Sequence, residues 1–430
     1  MAKFLFTVWP FTGHILPCVA IAHALRERGH EIAFYTGARV SRFVEDEGFK
    51  RFPFRHVDEE QVYRIMFSRE QNPLRWTGIL RFNATLHKWL LETVPQQAKD
   101  LEAVLTGWRP DVVVCDPTMW SPILIFHEAW GVPVAIASFM LGCMIPGPDI
   151  PPFGLGLPRP RNWYTRLLAR LAKLGMDVFA VNIRRTANML RRGYGLEPLS
   201  VPIVEFMGRM PLYMVPSVPE LDYWRSDLPA SVHYIGHCLP NSSPQGSSSS
   251  WLDELPQDQP WVYVTEGTVR MGDPFLLRAA ARGLANLPMQ VIMTTGGDRD
   301  PAQLNLGPVA PNVHIVRFVS YSELLPRTDV VVSTGGGGTV LGALNAGVPQ
   351  VIVPTEWDKP ENARRVAEVG AGLRLTPRQV TPRRLRESVE RVLADSSFRE
   401  NAQRLAVSLA RLGGAVRAAE LLEELSTHAW

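Results

Sequence analysis

Residues 333–363 read STGGGGTVLGALNAGVPQVIVPTEWDKPENA, a succession of strand end, glycine loop, helix start, second strand and acidic loop. The run before it, residues 329–332 (DVVV), is short, apolar and β-branched, as in a parallel sheet covered on both faces. Four glycines follow, and Thr339 then opens a helical run, so backbone N–H groups and a helix N-terminus converge where an anion such as a pyrophosphate would sit. A glycine run alone is equally a tight turn between strand and helix. The neighbouring Gly347-Val348-Pro349, the strand at 350–353, Pro354 and the segment 358–363 (DKPENA) favour a functional loop.

In spacing, this stretch resembles the donor-binding signature of the family-one UDP-glycosyltransferases, and most of all the bacterial macrolide and natural-product branch. That signature is usually HGGxGT, EAL, GVP, then a proline followed by DQ and NA. The resemblance implies that Thr334, Gly335, Gly336, Gly337, Gly338 and Thr339 face a nucleotide diphosphate and that Asp358 and Lys359 face the sugar. Three positions depart from the pattern. Thr334 stands for the phosphate-contacting histidine, with a hydroxyl still able to donate; Gly342 stands for a ribose-holding glutamate and has no side chain to do so. Lys359 stands for a glutamine, replacing a two-way hydrogen bonder with a donor-only cation that suits a uronic acid, the phosphates or a solvated loop.

The 430 residues, 46% hydrophobic and 20% charged, are enough for two or three ordinary globular domains. A net charge of +3 is small for a chain of this size and no aromatic-interleaved basic block dominates it, so nucleic acid is not expected as a partner. The four cysteines are far apart and form no CxxC pair, so neither a disulfide frame nor a metal site is expected. The apolar start at residues 3–8 is short and broken by Pro10 and Gly13, which suits a first strand better than a signal peptide, and no run of about twenty apolar residues occurs. A cytoplasmic protein is expected.

Strand, glycine turn, helix and strand succeed one another at residues 3–35, and similar units recur at 111–137. Such alternation predicts a doubly wound parallel sheet. Residues 239–250 (LPNSSPQGSSSS) have almost nothing to pack and read as a linker, after which strands are expected at 261–265, 290–294, 314–318, 329–333 and 350–353. The expected division is a Rossmann-like acceptor domain at 1–238, a linker at 239–255, a Rossmann-like nucleotide-sugar domain at 256–410 and a C-terminal helix at 411–430 packing back on the first domain. Two such domains facing an interdomain cleft constitute the GT-B architecture of the resembled family.

Moving a sugar to an acceptor with inversion requires a base, a group that holds the base and something that stabilises the departing diphosphate. His14, in the segment 12–17 (TGHILP), comes just after the first strand; a lone histidine there is as readily structural. The resemblance points to function, because GHxxP is the family's base motif and residues 28–31 (RGHE) repeat its continuation, with Gly13 alongside. Asp116 ends the strand at 112–115 and is the expected support for His14, the alternative being a helix cap. Gly267 and Thr268 match the family's second diphosphate loop, and Phe318 and Val319 its base-binding position. A nucleotide sugar is then a co-substrate, UDP-linked or dTDP-linked, with no further cofactor and no metal.

Met66, Trp76, Phe82, Phe139 and Met144 form an apolar and aromatic set suited to an acceptor such as a natural product or lipid, though core packing explains each as well. Residues 159–192 carry nine basic residues against Asp177, with interleaved aromatic and leucine side chains, and read either as a peripheral membrane contact or as a solvated helix face. Monomer and homodimer are both compatible with the chain. The competing readings are a nucleotide-sugar epimerase and a degenerate, non-catalytic GT-B partner protein.

Overall fold

The computed structural model describes residues 1–66, 84–238, 250–268, 273–296 and 299–427. Two parallel sheets organise them. The first has seven strands in the order β3-β2-β1-β4-β5-β6-β7: β1 Lys3–Thr7, β2 Glu31–Thr36, β3 Lys50–Pro53, β4 Val112–Cys115, β5 Val134–Ala137, β6 Leu212–Val215 and β7 Val232–Tyr234. The second has six in the order β10-β9-β8-β11-β12-β13: β8 Trp261–Thr265, β9 Gln290–Thr294, β10 Val313–Val316, β11 Val330–Ser333, β12 Gln350–Ile352 and β13 Gly372–Arg374. Helices of nine or more residues among those described are α1 Thr12–Glu27, α2 Val94–Gly107, α3 Trp163–Gly193, α4 Phe275–Gly283, α5 Gly337–Asn345, α6 Lys359–Glu368, α7 Pro382–Ala394, α8 Ser396–Arg411 and α9 Ala415–Thr427.

The apolar runs make sense once both faces of each sheet are covered. Phe4 and Phe6 enter one core layer and Leu5 the other; Val112 and Val114 likewise part from Val113 and Cys115. In the second sheet Val262 and Val264 face one layer and Trp261 and Tyr263 its opposite. Side chains alternate along a strand, so only a continuous apolar run fills two layers. Each sheet changes winding direction at one pair, β1 with β4 and β8 with β11, both parallel. Open α/β sheets bind ligands in the crevice that such a reversal leaves at the carboxyl ends of the strands.

The two units are tied together at several places. Glycines 413 and 414, both at positive φ, turn the chain from α8 into α9, and the Gly414 amide donates to the Ile235 carbonyl at 2.6 Å. A Cβ on Gly414 would meet the His237 carbonyl oxygen at 2.2 Å, so no other residue fits this crossing. α9 then lies on α1, and Ala418, Ala419, Leu421, Leu422 and Leu425 are buried with Phe4, Phe6 and Ile21. Elsewhere Arg365 of α6 pairs with Asp222 of the first unit, both almost wholly buried, and Asp222 also accepts from the Cys143 amide (2.6 Å) and the Tyr234 hydroxyl (2.7 Å).

Two boundaries differ from the sequence reading. Residues 239–249 of the linker lie outside the described residues, but the turn Ser250–Glu254 belongs to the second core, because Leu252 is buried against Trp261 and Val331. α1 begins at Thr12, with Pro17 inside it, so the expected glycine turn after β1 is already helical and Gly13 and His14 occupy the first turn of α1. Because α9 completes a core layer of the first unit, Leu422→Ala is expected to cost about 2–5 kcal/mol of stability in urea unfolding. A loss under about 0.5 kcal/mol, the range of surface changes, would show that this layer does not depend on α9.

Candidate active site

β1 and β4 are neighbours in parallel register, Thr7 opposite Cys115, so the segments leaving the two strands emerge at the same edge of the sheet. After β1 the chain turns into α1 and presents His14; after β4 comes Asp116. They meet: His14 Nδ1 and Asp116 Oδ2 are 2.6 Å apart. Asp116 is buried, and its other oxygen accepts from the Thr118 amide (2.8 Å) and hydroxyl (2.6 Å), which fixes the carboxylate. A carboxylate so held keeps a proton on Nδ1 and leaves Nε2 as the basic atom. The His14 ring stacks on Phe139 at a centroid distance of 3.6 Å and 25°, with Phe11 edge-on at 5.2 Å.

From the other side, β11 delivers the glycine loop. Gly335, at φ +88°, makes the turn, and a Cβ there would strike Ile352 at 2.8 Å. Gly336 caps α5, so the first-turn amides of Gly337, Gly338 and Thr339 have no intrahelical acceptor and open towards the cleft. A Cβ on Gly337 would lie 2.9 Å from the Phe139 carbonyl oxygen. One residue of the first unit, Phe139, therefore touches the imidazole with its ring and lies against the N-terminus of α5 with its backbone.

The cleft between the units measures about 3460 Å³, several times the usual volume of about 300–1,000 Å³ for a single small-molecule site. There is room for two ligands. Its lining includes Gly13, His14, Gly267, Thr268, Phe318, Val319, Gly336–Gly338, Thr339, Asp358 and Lys359, and on the acceptor side Met66, Phe139 and Met144. Trp76 and Phe82 lie outside the described residues. Asp116 stands behind His14 without lining the cleft.

Thr334 and Gly335 are corrections. Both are buried away from the cleft; the Thr334 hydroxyl donates to the Glu266 carbonyl at 2.9 Å, leaving no proton for a phosphate. The Glu266 carboxylate accepts from the Leu276 amide at the start of α4 (3.0 Å) and faces Arg299 at 3.8 Å. At Gly342, the space of the absent glutamate side chain is closed by Tyr321, whose ring would meet a Cβ at 3.0 Å and whose hydroxyl bonds Thr339 Oγ1 at 2.9 Å.

Asp358 and Lys359 open α6 beside the glycine loop. Burial pushes the Asp358 carboxyl up from its ordinary value, opposed by a 2.7 Å bond from the Asn362 amide and by Lys359. Burial likewise lowers Lys359, whose ammonium donates to Thr355 Oγ1 (3.0 Å) and lies 3.8 Å from Glu356. Sequence reasoning misses Glu356, for a loop carboxylate has no local signal. It also misses Trp357, which sits at φ +60°, a strained conformation for a bulky residue, and sets its ring against Trp89 of the first unit.

The Erythromycin biosynthesis protein CIII-like, C-terminal domain family matches residues 281–423. The chain is 34% identical over 429 residues to 4'-demethylrebeccamycin synthase of Lentzea aerocolonigenes, covering 99% of both chains. To demethyllactenocin mycarosyltransferase of Streptomyces fradiae it is 28% identical over 428 residues, 99% of this chain and 87% of that one. In fold it is similar to the calicheamicin glycosyltransferase CalG4, with a TM-score of 0.75 at 24% identity over 99% and 98% of the two chains. The chain thus belongs to the family-one natural-product glycosyltransferases, with the GT-B fold.

Replacing Gly337 by Val would wedge the units apart at Phe139. A shift of about 1 Å at a reacting centre costs on the order of 100-fold in rate. Turnover is expected to fall by that order with thermal unfolding little changed; an unaltered rate would show that the contact with Phe139 does not set the catalytic spacing.

Proposed function

We propose that this glycosyltransferase moves a sugar from a UDP- or dTDP-sugar to a large, mostly apolar hydroxylated acceptor in a single inverting step. The observation that carries the reading is the 2.6 Å His14–Asp116 pair at the floor of a cleft whose opposite wall is the N-terminus of α5. His14 Nε2 takes the acceptor proton as its oxygen attacks the anomeric carbon, and Asp116 stabilises the imidazolium that results. The departing diphosphate is received by the amides of Gly337, Gly338 and Thr339, with Gly267 and the exposed Thr268 opposite. Thr334 has no direct part.

The natural-product acceptor is supported by the activities for which the relatives are named and by the apolar wall of Phe11, Met66, Trp89, Trp120, Phe139 and Met144. The nucleotide base lies along Phe318 and Val319. Asp358 and Lys359 take the sugar, and with Glu356 3.8 Å from Lys359 the subsite holds two carboxylates to one ammonium, which disfavours a uronic acid. A neutral sugar suits it better.

Removing a general base lowers rate by about 10²–10⁴-fold, so His14→Ala is expected to lose turnover on that scale while calorimetry finds nucleotide diphosphate affinity unchanged. Undiminished product formation would sink the assignment, and absence of diphosphate binding in the native protein would favour a non-catalytic partner protein. In the same titrations UDP-glucose should bind more tightly than UDP-glucuronic acid; the reverse order would mean that the Lys359 charge dominates. Activity is expected to withstand a chelator, and its loss would assign the diphosphate to a metal ion.

A further inference from the structure

α3 has two apolar faces. Ala169, Ile183 and Ala187 are buried against the first unit. On the opposite side Tyr164, Leu167, Leu171, Leu174, Val178 and Val181 are 48–69% exposed, and no other element among the described residues gathers so many uncovered large apolar side chains. Their spacing is 3, 4, 3, 4, 3. That is the a/d repeat of a coiled-coil seam, flanked at its start by the exposed Trp163, and the next position of the repeat, Arg185, ends it. A helix lying in a membrane surface presents a broader apolar face.

We infer that this stripe is the interface for a second copy of the chain, whose α3 packs antiparallel across it about a two-fold axis. An antiparallel seam matches a positions with d positions, and a centre between residues 172 and 173 pairs Tyr164 with the partner's Val181, Leu167 with the partner's Val178 and Leu171 with the partner's Leu174. Each pair occurs twice, as a two-fold interface requires. At the same register the flanking Arg170 comes opposite the partner's Asp177, again twice, so the charges complement each other. Asp177 already holds the Lys173 ammonium at 2.7 Å, with both side chains in solvent. The contact runs along about 27 Å of helix, at 1.5 Å per residue for residues 164–181. Leu171, Leu174 and Val178 also line the cleft that contains His14, so the second helix closes the outer wall of the acceptor site.

The test is light scattering coupled to gel filtration on the full chain. Native protein should run at twice its 48.1 kDa mass. Leu171→Asp with Leu174→Asp should raise the dimer dissociation constant by roughly 100-fold or more, as central anchors of an interface do, with the melting temperature of the resulting monomer unaltered because both side chains are solvent-exposed there. Asp177→Arg should weaken the dimer, and Arg170→Asp added to it should restore association. Orientation is read by oxidation: a mixture of Leu171→Cys and Leu174→Cys chains should crosslink, whereas Leu171→Cys alone should not, and the four native cysteines are buried. A native monomer, a dimer indifferent to the two Asp substitutions, or crosslinking by Leu171→Cys alone would each overturn the proposal. A monomer that sediments with phosphatidylserine vesicles would assign the stripe to a membrane instead.

Discussion

Parallel pairing of β1 with β4 is the constraint on which the site depends. Hydrogen bonding in that register aligns Thr7 with Cys115, and Asp116 directly follows its strand while His14 lies in the first turn of the helix that follows the other. His14 and Asp116, 102 positions apart in sequence, are brought within hydrogen-bond distance without any special loop. The second sheet repeats the device: β8 and β11 pair in parallel, and the segments beginning at Glu266 and Thr334 emerge side by side, joined by the Thr334–Glu266 bond. The proposed mechanism puts chemistry at both reversals, the places where adjacent crossovers leave in opposite directions and expose the strand ends.

A second requirement is that the two reversals face each other at a fixed distance. Phe139 sets it, pressing its ring on His14 and its carbonyl on the start of α5. The buried Asp222–Arg365 pair, the Trp89–Trp357 contact and α9 lying on α1 hold the same arrangement from other directions. Buried ion pairs contribute little net stability, since desolvation offsets their attraction, but losing one partner leaves a stranded charge and costs about 3–5 kcal/mol. Asp222 is therefore better understood as enforcing one domain arrangement than as adding to overall stability.

Much of this is legible in the chain. Continuous β-branched runs announce strands buried on both faces, and the glycine loop, GHILP and the strand-end Asp116 each carry a local pattern tied to a backbone or chemical need. The features that escape depend on contacts between distant segments. Thr334 reads as a phosphate donor until its hydroxyl is seen donating to the Glu266 carbonyl, and Gly342 reads as a lost ribose contact until Tyr321 is seen filling the space. Glu356 and Trp357 lie in a loop without periodicity. The exposed stripe of α3 is visible as basic and apolar interleaving, but only the helix's orientation tells which of its two apolar faces is covered.

The most direct measurement of whether His14 drives a single displacement is the anomeric configuration of the product. From an α-linked nucleotide sugar, the proton–proton coupling at the anomeric carbon, read by nuclear magnetic resonance on the purified glycoside, should report the β-anomer. An α-product would contradict attack by a deprotonated acceptor and would require a covalent or ion-pair intermediate at a carboxylate of the cleft instead.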